Sequence, residues 1–228
     1  MAEVKPLGKF PDRRPFRVAL TIDTELRGRP ADPGNATRVV DALDAARVTA
    51  TFFVQGRWAG GEPALLRRIH DAGHLIGNHS YYHAPMDLLT DAGITDSVTR
   101  AHRTILAVAG VDARPWFRCP YGVGHDDPRV LRGLAAQGYR DVTWDVDGED
   151  WADGRDAGDL AATIVAGALD RGDGARVLLH SWPDATAAAL PGILDALRES
   201  GAAMVRLDEL GEAAFGPADP PAGPGGRP

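Results

Sequence analysis

The stretch Phe16-Arg17-Val18-Ala19-Leu20-Thr21-Ile22-Asp23-Thr24-Glu25 decides how this chain is read. Phe16–Asp23 is an apolar run of the kind a buried strand needs, and it ends in carboxylates. With extended geometry kept to the end, Asp23 and Glu25 point to one face and Thr24 to the other. Carboxylates at strand ends are usually solvated, but Asp23 follows the apolar run directly.

The same pattern recurs downstream. Short apolar runs read as strands at Ala50–Val54, His74–Asn78, Pro115–Arg118, Asp141–Asp145, Ala175–His180 and Ala203–Leu207. Between them lie Ala/Leu/Arg-rich segments of helical period at Asn35–Ala46, Pro63–Ala72, Ile94–Ala109, Pro128–Gln137, Leu160–Asp170 and Ala185–Glu199. Asp127 before Pro128 reads as a helix N-cap, as does Asp159 before its apolar run. Gly73, Gly110, Gly138 and Gly201 stand where helices want a left-handed C-cap. Seven strands alternating with six helices imply an α/β fold of parallel strands, closed or nearly closed into a barrel. The expected organisation is an N-terminal extension (1–15), one domain (16–213) and a disordered Pro/Gly-rich tail (214–228).

Composition narrows the chemistry. A formal charge of −7 without a basic stripe argues against nucleic acid as a partner. One cysteine, Cys119, allows no internal disulfide and no thiolate-rich metal site, so any metal must be held by histidine and carboxylate. No segment approaches the roughly 20 apolar residues of a membrane span. The first residues lack the roughly 7 to 15 apolar residues of a signal peptide, so the expectation is a cytoplasmic protein with no membrane partner.

In a parallel barrel the chemistry belongs where strands end. Asp23, His79, Arg118, Asp145 to Asp150 and His180 all fall at or just after the C-terminal ends of different expected strands. His79 and His83 are spaced so that, on a helical turn, both imidazoles would face one side and grip one metal. His70 and His74 share that spacing, but Gly73 should break the helix between them, and they read as structural. Arg118 at its strand end can orient a nearby carboxylate, and Pro120 and Gly122 set a turn that aims the Tyr121 backbone N–H at a developing oxyanion. Cys119 reads as a packing residue. Trp144 to Trp151 offers carboxylates to tune His180 and aromatic faces for sugar rings.

Five ordered segments together resemble the polysaccharide deacetylases of the NodB-homology type, carbohydrate esterase family 4. The family's Thr-Phe-Asp-Asp-Gly is similar to Thr21–Glu25, its His-Ser/Thr-x-x-His to His79–His83, and its Arg-x-Pro-Tyr-Gly to Arg118–Gly122. Its Asp-Trp is similar to Asp150 and Trp151, and its Leu-x-His to Leu178–His180. The resemblance runs from about Arg17 to Leu207.

It implies a distorted (β/α)7 barrel of NodB type and a metal-dependent hydrolase, with Zn²⁺ as the metal and Co²⁺ or Ni²⁺ as substitutes. The implied roles are Asp23 as general base, His79 and His83 as metal ligands, and His180 as general acid. Arg118 would orient Asp23, Asp150 would tune His180, and Leu178 with Trp151 would wall the acetyl pocket. The implied substrate is an acetylated carbohydrate such as chitin oligomers, peptidoglycan or acetylated xylan, with oligomeric state left open. One position departs: the family's metal-binding Asp falls at Thr24, which cannot supply that charge, and Glu25 is the proposed replacement. Two alternatives stand beside this reading: an amidohydrolase on a small cytosolic amide, and a carbohydrate-binding homologue weakened by Thr24.

Overall fold

The computed structural model describes residues 16–26, 31–211 and 215. The N-terminal extension (1–15) and, apart from Phe215, the tail (214–228) lie outside them. The described elements, in chain order, are β1 (Phe16–Thr24), α1 (Asn35–Ala46), β2 (Thr51–Val54), α2 (Gly56–Gly61), α3 (Pro63–Asp71), β3 (Leu75–Asn78) and α4 (Asp91–Ala109). They continue with β4 (Trp116–Phe117), α5 (Pro128–Ala135), β5 (Arg140–Asp141), β6 (Val146–Asp147), α6 (Ala157–Arg171), β7 (Ala175–His180), α7 (Asp184–Glu199) and β8 (Ala202–Val205).

All strand pairs are parallel, in the order β5-β4-β3-β2-β1-β7-β6, with β8 joining β1. β1 is the hub because it is long enough for three partners. Its first half pairs with β8 and its second half with β2, while β7 runs along Val18–Asp23. Hence the sheet curls into a distorted barrel whose ladder is open between β5 and β6.

That opening corrects the expected single strand at Asp141–Asp145. Val142 N–H still bonds the Phe117 carbonyl at 2.8 Å, but Asp145 N–H bonds the Arg176 carbonyl at 2.9 Å on the opposite edge. The Asp145 carboxylate also takes the Arg176 Nε and Nη2 donors. Thr143 and Trp144 therefore carry the backbone across the gap, and covalent continuity replaces a rung of the ladder.

Alternation along β1 separates two interiors. Val18, Leu20 and Ile22 pack with Phe52, Val54, Val177 and Leu179 in the large core beneath the helices. The opposite face carries Ala19, which packs with Phe53, Trp116, Val142, Leu207 and Leu210 in a smaller apolar plug. Thr21 and Asp23 share Ala19's face by the same alternation, so the barrel interior is apolar low down and polar at the C-terminal mouth.

Caps mostly follow the expected chemistry. Asp127 accepts from Arg129 N–H at 2.7 Å, and Gly110 closes α4 in the left-handed region at φ 70°. The sixth helix is capped by Asp156 rather than Asp159: its carboxylate takes the N–H groups of both Gly158 and Asp159. No described helix is long and apolar enough to cross a membrane.

Candidate active site

Register brings the first two groups together. In the β1–β7 ladder Asp23 lies opposite His180 and Thr21 opposite Leu178, so the carboxylate and imidazole emerge side by side at the barrel mouth. Asp23 is 4% exposed and its Oδ1 takes a hydrogen bond from Arg118 Nη1 at 2.8 Å. Arg118, 1% exposed, also donates Nε to the Val142 carbonyl at 3.0 Å, and its guanidinium lies 4.2 Å over the Phe53 ring. The apolar plug thus forms the floor on which the Asp23–Arg118 pair rests. A buried carboxylate held by a guanidinium is fixed in orientation.

His79 and His83 converge, but on a loop rather than the expected helical turn. Ser80 and His83 both adopt positive φ, 61° and 59°, which folds the segment back on itself. Asn78 Oδ1 accepts from Ser80 N–H at 2.9 Å, and Ser80 Oγ accepts from His83 N–H at 3.1 Å. Asn78 Nδ2 ties the loop to the Val98 carbonyl of α4 at 3.1 Å. The two imidazole Nε2 atoms end 3.0 Å apart.

The tautomer of His79 follows from its partner. Its Nδ1 lies 2.9 Å from the Arg118 carbonyl, which can only accept, so Nδ1 carries the proton and Nε2 presents a lone pair. Burial, only partly opposed by Asp23, holds the ring neutral by lowering its pKa to about 4. Glu25 Oε2 is buried, touches His83 Nε2 and lies 3.9 Å from His79 Nε2. Burial alone would raise the Glu25 pKa, but His83, then His79 and His180, pull it down to about 2.

Ligand atoms of Glu25, His79 and His83 all lie within 4.8 Å of one another. An ionised carboxylate and a lone-pair nitrogen crowded together in a buried space fit a divalent cation, and two histidines with one carboxylate is a common catalytic zinc set. Thr24, by contrast, is fully buried with its hydroxyl 3.5 Å from the Ile22 carbonyl.

His180 is gripped by Asp150 twice: Oδ1 receives the ring Nδ1 and Oδ2 the backbone N–H, each at 2.7 Å. Thr186 at the start of α7 donates its hydroxyl to the same Oδ2. Burial would lower the His180 pKa, but Asp150, with Asp23 and Glu25 adding to it, raises it to about 9. The imidazole therefore carries a proton at neutral pH.

Asp23, Glu25, His83 and His180 line one cavity of about 810 Å³, walled by Leu178 and by Tyr82, Tyr121, Trp144, Trp151 and Trp182. Tyr121 adopts φ 57° and sets its ring edge-on to His83 at 4.4 Å. Cys119 is buried, and burial followed by Asp141 pushes its thiol far above the usual range, so it is no nucleophile. His74 accepts from Ala50 N–H at 3.0 Å and packs against Phe52, a structural place for the second histidine pair's buried member.

Several residues at the site escaped the sequence reading. Gln55 clamps the end of β1, donating its N–H to the Thr24 carbonyl at 2.9 Å and accepting from Leu26 N–H at 2.8 Å. Trp182 donates its indole N–H to Glu25 Oε1 at 3.1 Å. Asn78, which adjoins His79, had a usable signal; Gln55 and Trp182 depend on contacts between distant strands.

A family model described as polysaccharide deacetylase matches residues 11–142. The chain is similar to the peptidoglycan-N-acetylmuramic acid deacetylase PdaA of Bacillus subtilis, 31% identical over 179 residues that cover 78% of this chain and 66% of that protein. It spans, in other words, a little under two thirds of that relative's length. The fold is similar to that of a family 4 carbohydrate esterase from Streptomyces lividans solved with acetate: TM-score 0.72, 31% identity, 83% of this chain and 91% of the other. It is also similar to a CE4 family pseudoenzyme from Bacillus anthracis, with TM-score 0.74, 29% identity and coverage of 86% and 65%.

Proposed function

The chain belongs to the polysaccharide deacetylase family, hydrolases of non-peptide carbon–nitrogen bonds, and from that premise we propose that it removes N-acetyl groups from a carbohydrate in a metal-dependent reaction. The observation that carries this reading is the convergence of Glu25, His79 and His83 beside both the Asp23–Arg118 and His180–Asp150 pairs. The proposed substrate class is the N-acetylated glycan of peptidoglycan or chitin oligomers. Aromatic faces around the cavity suit the apolar C–H faces of sugar rings.

A divalent cation, zinc first among them, held by Glu25, His79 and His83 would supply Lewis-acid polarisation of the acyl carbonyl and a more acidic water. Asp23, oriented by the Arg118 hydrogen bond, accepts the proton of the attacking water. The Tyr121 backbone N–H is assigned to the oxyanion side. His180 enters the reaction already protonated and delivers its Nε2 proton to the leaving nitrogen, since an amine leaves poorly as an anion. Asp150 and Thr186 hold the ring so that this proton faces the substrate. Leu178 and Trp151 are assigned to the acetyl methyl group.

The pseudoenzyme neighbour and Thr24 favour a second reading, a glycan-binding homologue without turnover. One experiment separates the readings. Chelator-treated protein is restored with zinc and tested for acetate release from N-acetylglucosamine oligomers, peptidoglycan fragments, acetylated xylan and small amides. Zinc-dependent release from an N-acetylated glycan, abolished in His79→Ala and kept in His70→Ala, supports the deacetylase. Glycan binding without release supports the second reading, and release from small amides alone moves the substrate class.

A further inference from the structure

Glu25 has one more torsion than the aspartate of the family pattern, and a longer arm loses more conformational freedom when it is fixed. Something must hold it. The backbone on either side is clamped by Gln55, through the Thr24 carbonyl and the Leu26 N–H. The carboxylate itself is met by His83 at one oxygen and by an indole at the other. Trp182 Nε1 lies 3.1 Å from Glu25 Oε1, while Oε2 faces the two imidazoles.

We infer that Trp182 is a positioning residue for the metal-binding carboxylate, its indole N–H fixing the Glu25 arm so that Oε2 is presented to His79 and His83. The inference rests on the reading of Glu25 as a metal ligand. An indole suits this task because it only donates: it carries no lone pair to compete for a cation and keeps its hydrogen at any physiological pH. Outer partners of this kind orient ligands and tune their affinity.

Trp182 is itself held from two helices. Its carbonyl accepts from Asn35 Nδ2 at 2.8 Å, and the same amide reaches Asp184 Oδ1 at 2.6 Å, joining the first turns of α1 and α7. Its ring stands beside His180, with centroids 6.2 Å apart, and lines the substrate cavity. Trp182 thus links the arm of the metal-binding carboxylate to the wall that substrate meets.

The test is zinc titration of metal-stripped protein, read as an affinity rather than as turnover. Trp182→Phe keeps a ring in the wall and removes the donor. It should weaken zinc binding by about 10- to 100-fold, with Glu25→Ala weaker still and Trp182→Phe adding nothing in the Glu25→Ala background. Wild-type affinity in Trp182→Phe, beside a weak Glu25→Ala, overturns the inference and spares the ligand assignment. Wild-type affinity in Glu25→Ala overturns the ligand assignment and the inference with it. An equal loss from Trp182→Phe in both backgrounds means a general structural effect and also overturns the inference. A second measurement needs no change at Trp182: among the five tryptophan indoles, one should exchange its N–H slowly in wild type and quickly in Glu25→Ala. Identical exchange in the two proteins counts against the bond.

Discussion

His180 shows how one carboxylate sets a working protonation state. Burial would leave this imidazole neutral, yet Asp150 accepts a hydrogen bond from its Nδ1–H at 2.7 Å and raises its pKa to about 9. A general acid must be protonated, so activity governed by His180 is present below that value and lost as pH rises through it. In Asp150→Asn the largest attraction goes, while the desolvation and the smaller pulls of Asp23 and Glu25 stay. The alkaline limb of the rate profile should then move to lower pH, with lower kcat at neutral pH. An alkaline limb left in place in an active Asp150→Asn enzyme would reject His180 as the acid.

At the scale of elements, β3 and the loop after it place both imidazoles. Gly77 is there for space: a Cβ on it would stand 2.6 Å from Phe53 Cδ1 and 2.8 Å from Cε1. Phe53 in turn supports the Arg118 guanidinium at 4.2 Å. Gly77→Ala should therefore disturb Asp23 indirectly, lowering kcat and destabilising the fold by roughly 1–3 kcal/mol through overpacking. Denaturant unfolding with parallel acetate-release kinetics checks this, and a change in neither would show that the plug yields. The helical reading of His79–His83 failed at this scale because spacing cannot report that Ser80 and His83 sit at positive φ. Asn78 and Ser80 side chains, not a helical ladder, hold the turn.

For the whole molecule, the proposed ligand set draws on two distant segments, Glu25 just after β1 and the loop after β3. A cation binding all three groups binds only the folded chain, so it stabilises by mass action. At zinc about 100-fold above its Kd the gain is about 2.7 kcal/mol, equivalent to a rise of roughly 5–10 °C in Tm for a chain of this size. Calorimetry on metal-stripped protein with and without zinc should show that rise in wild type and lose it in His79→Ala. An equal rise in both proteins would place the bound zinc elsewhere.

Much was written in the one-dimensional pattern. Apolar runs and helical periods set the order of elements, and the α1 bounds Asn35–Ala46 were readable to the residue. Strand ends marked where Asp23, Arg118 and His180 would gather, because in parallel sheets those ends share one mouth. Local pattern could not decide that the ladder opens between β5 and β6, since Asp145 is drawn to the β7 edge by a bidentate pair with Arg176, 31 residues on in the chain. Nor could it decide that Trp182 would meet Glu25, 157 residues away in the chain. Periodicity reports which face a side chain takes; only the curl and register of the sheet determine which other faces it meets.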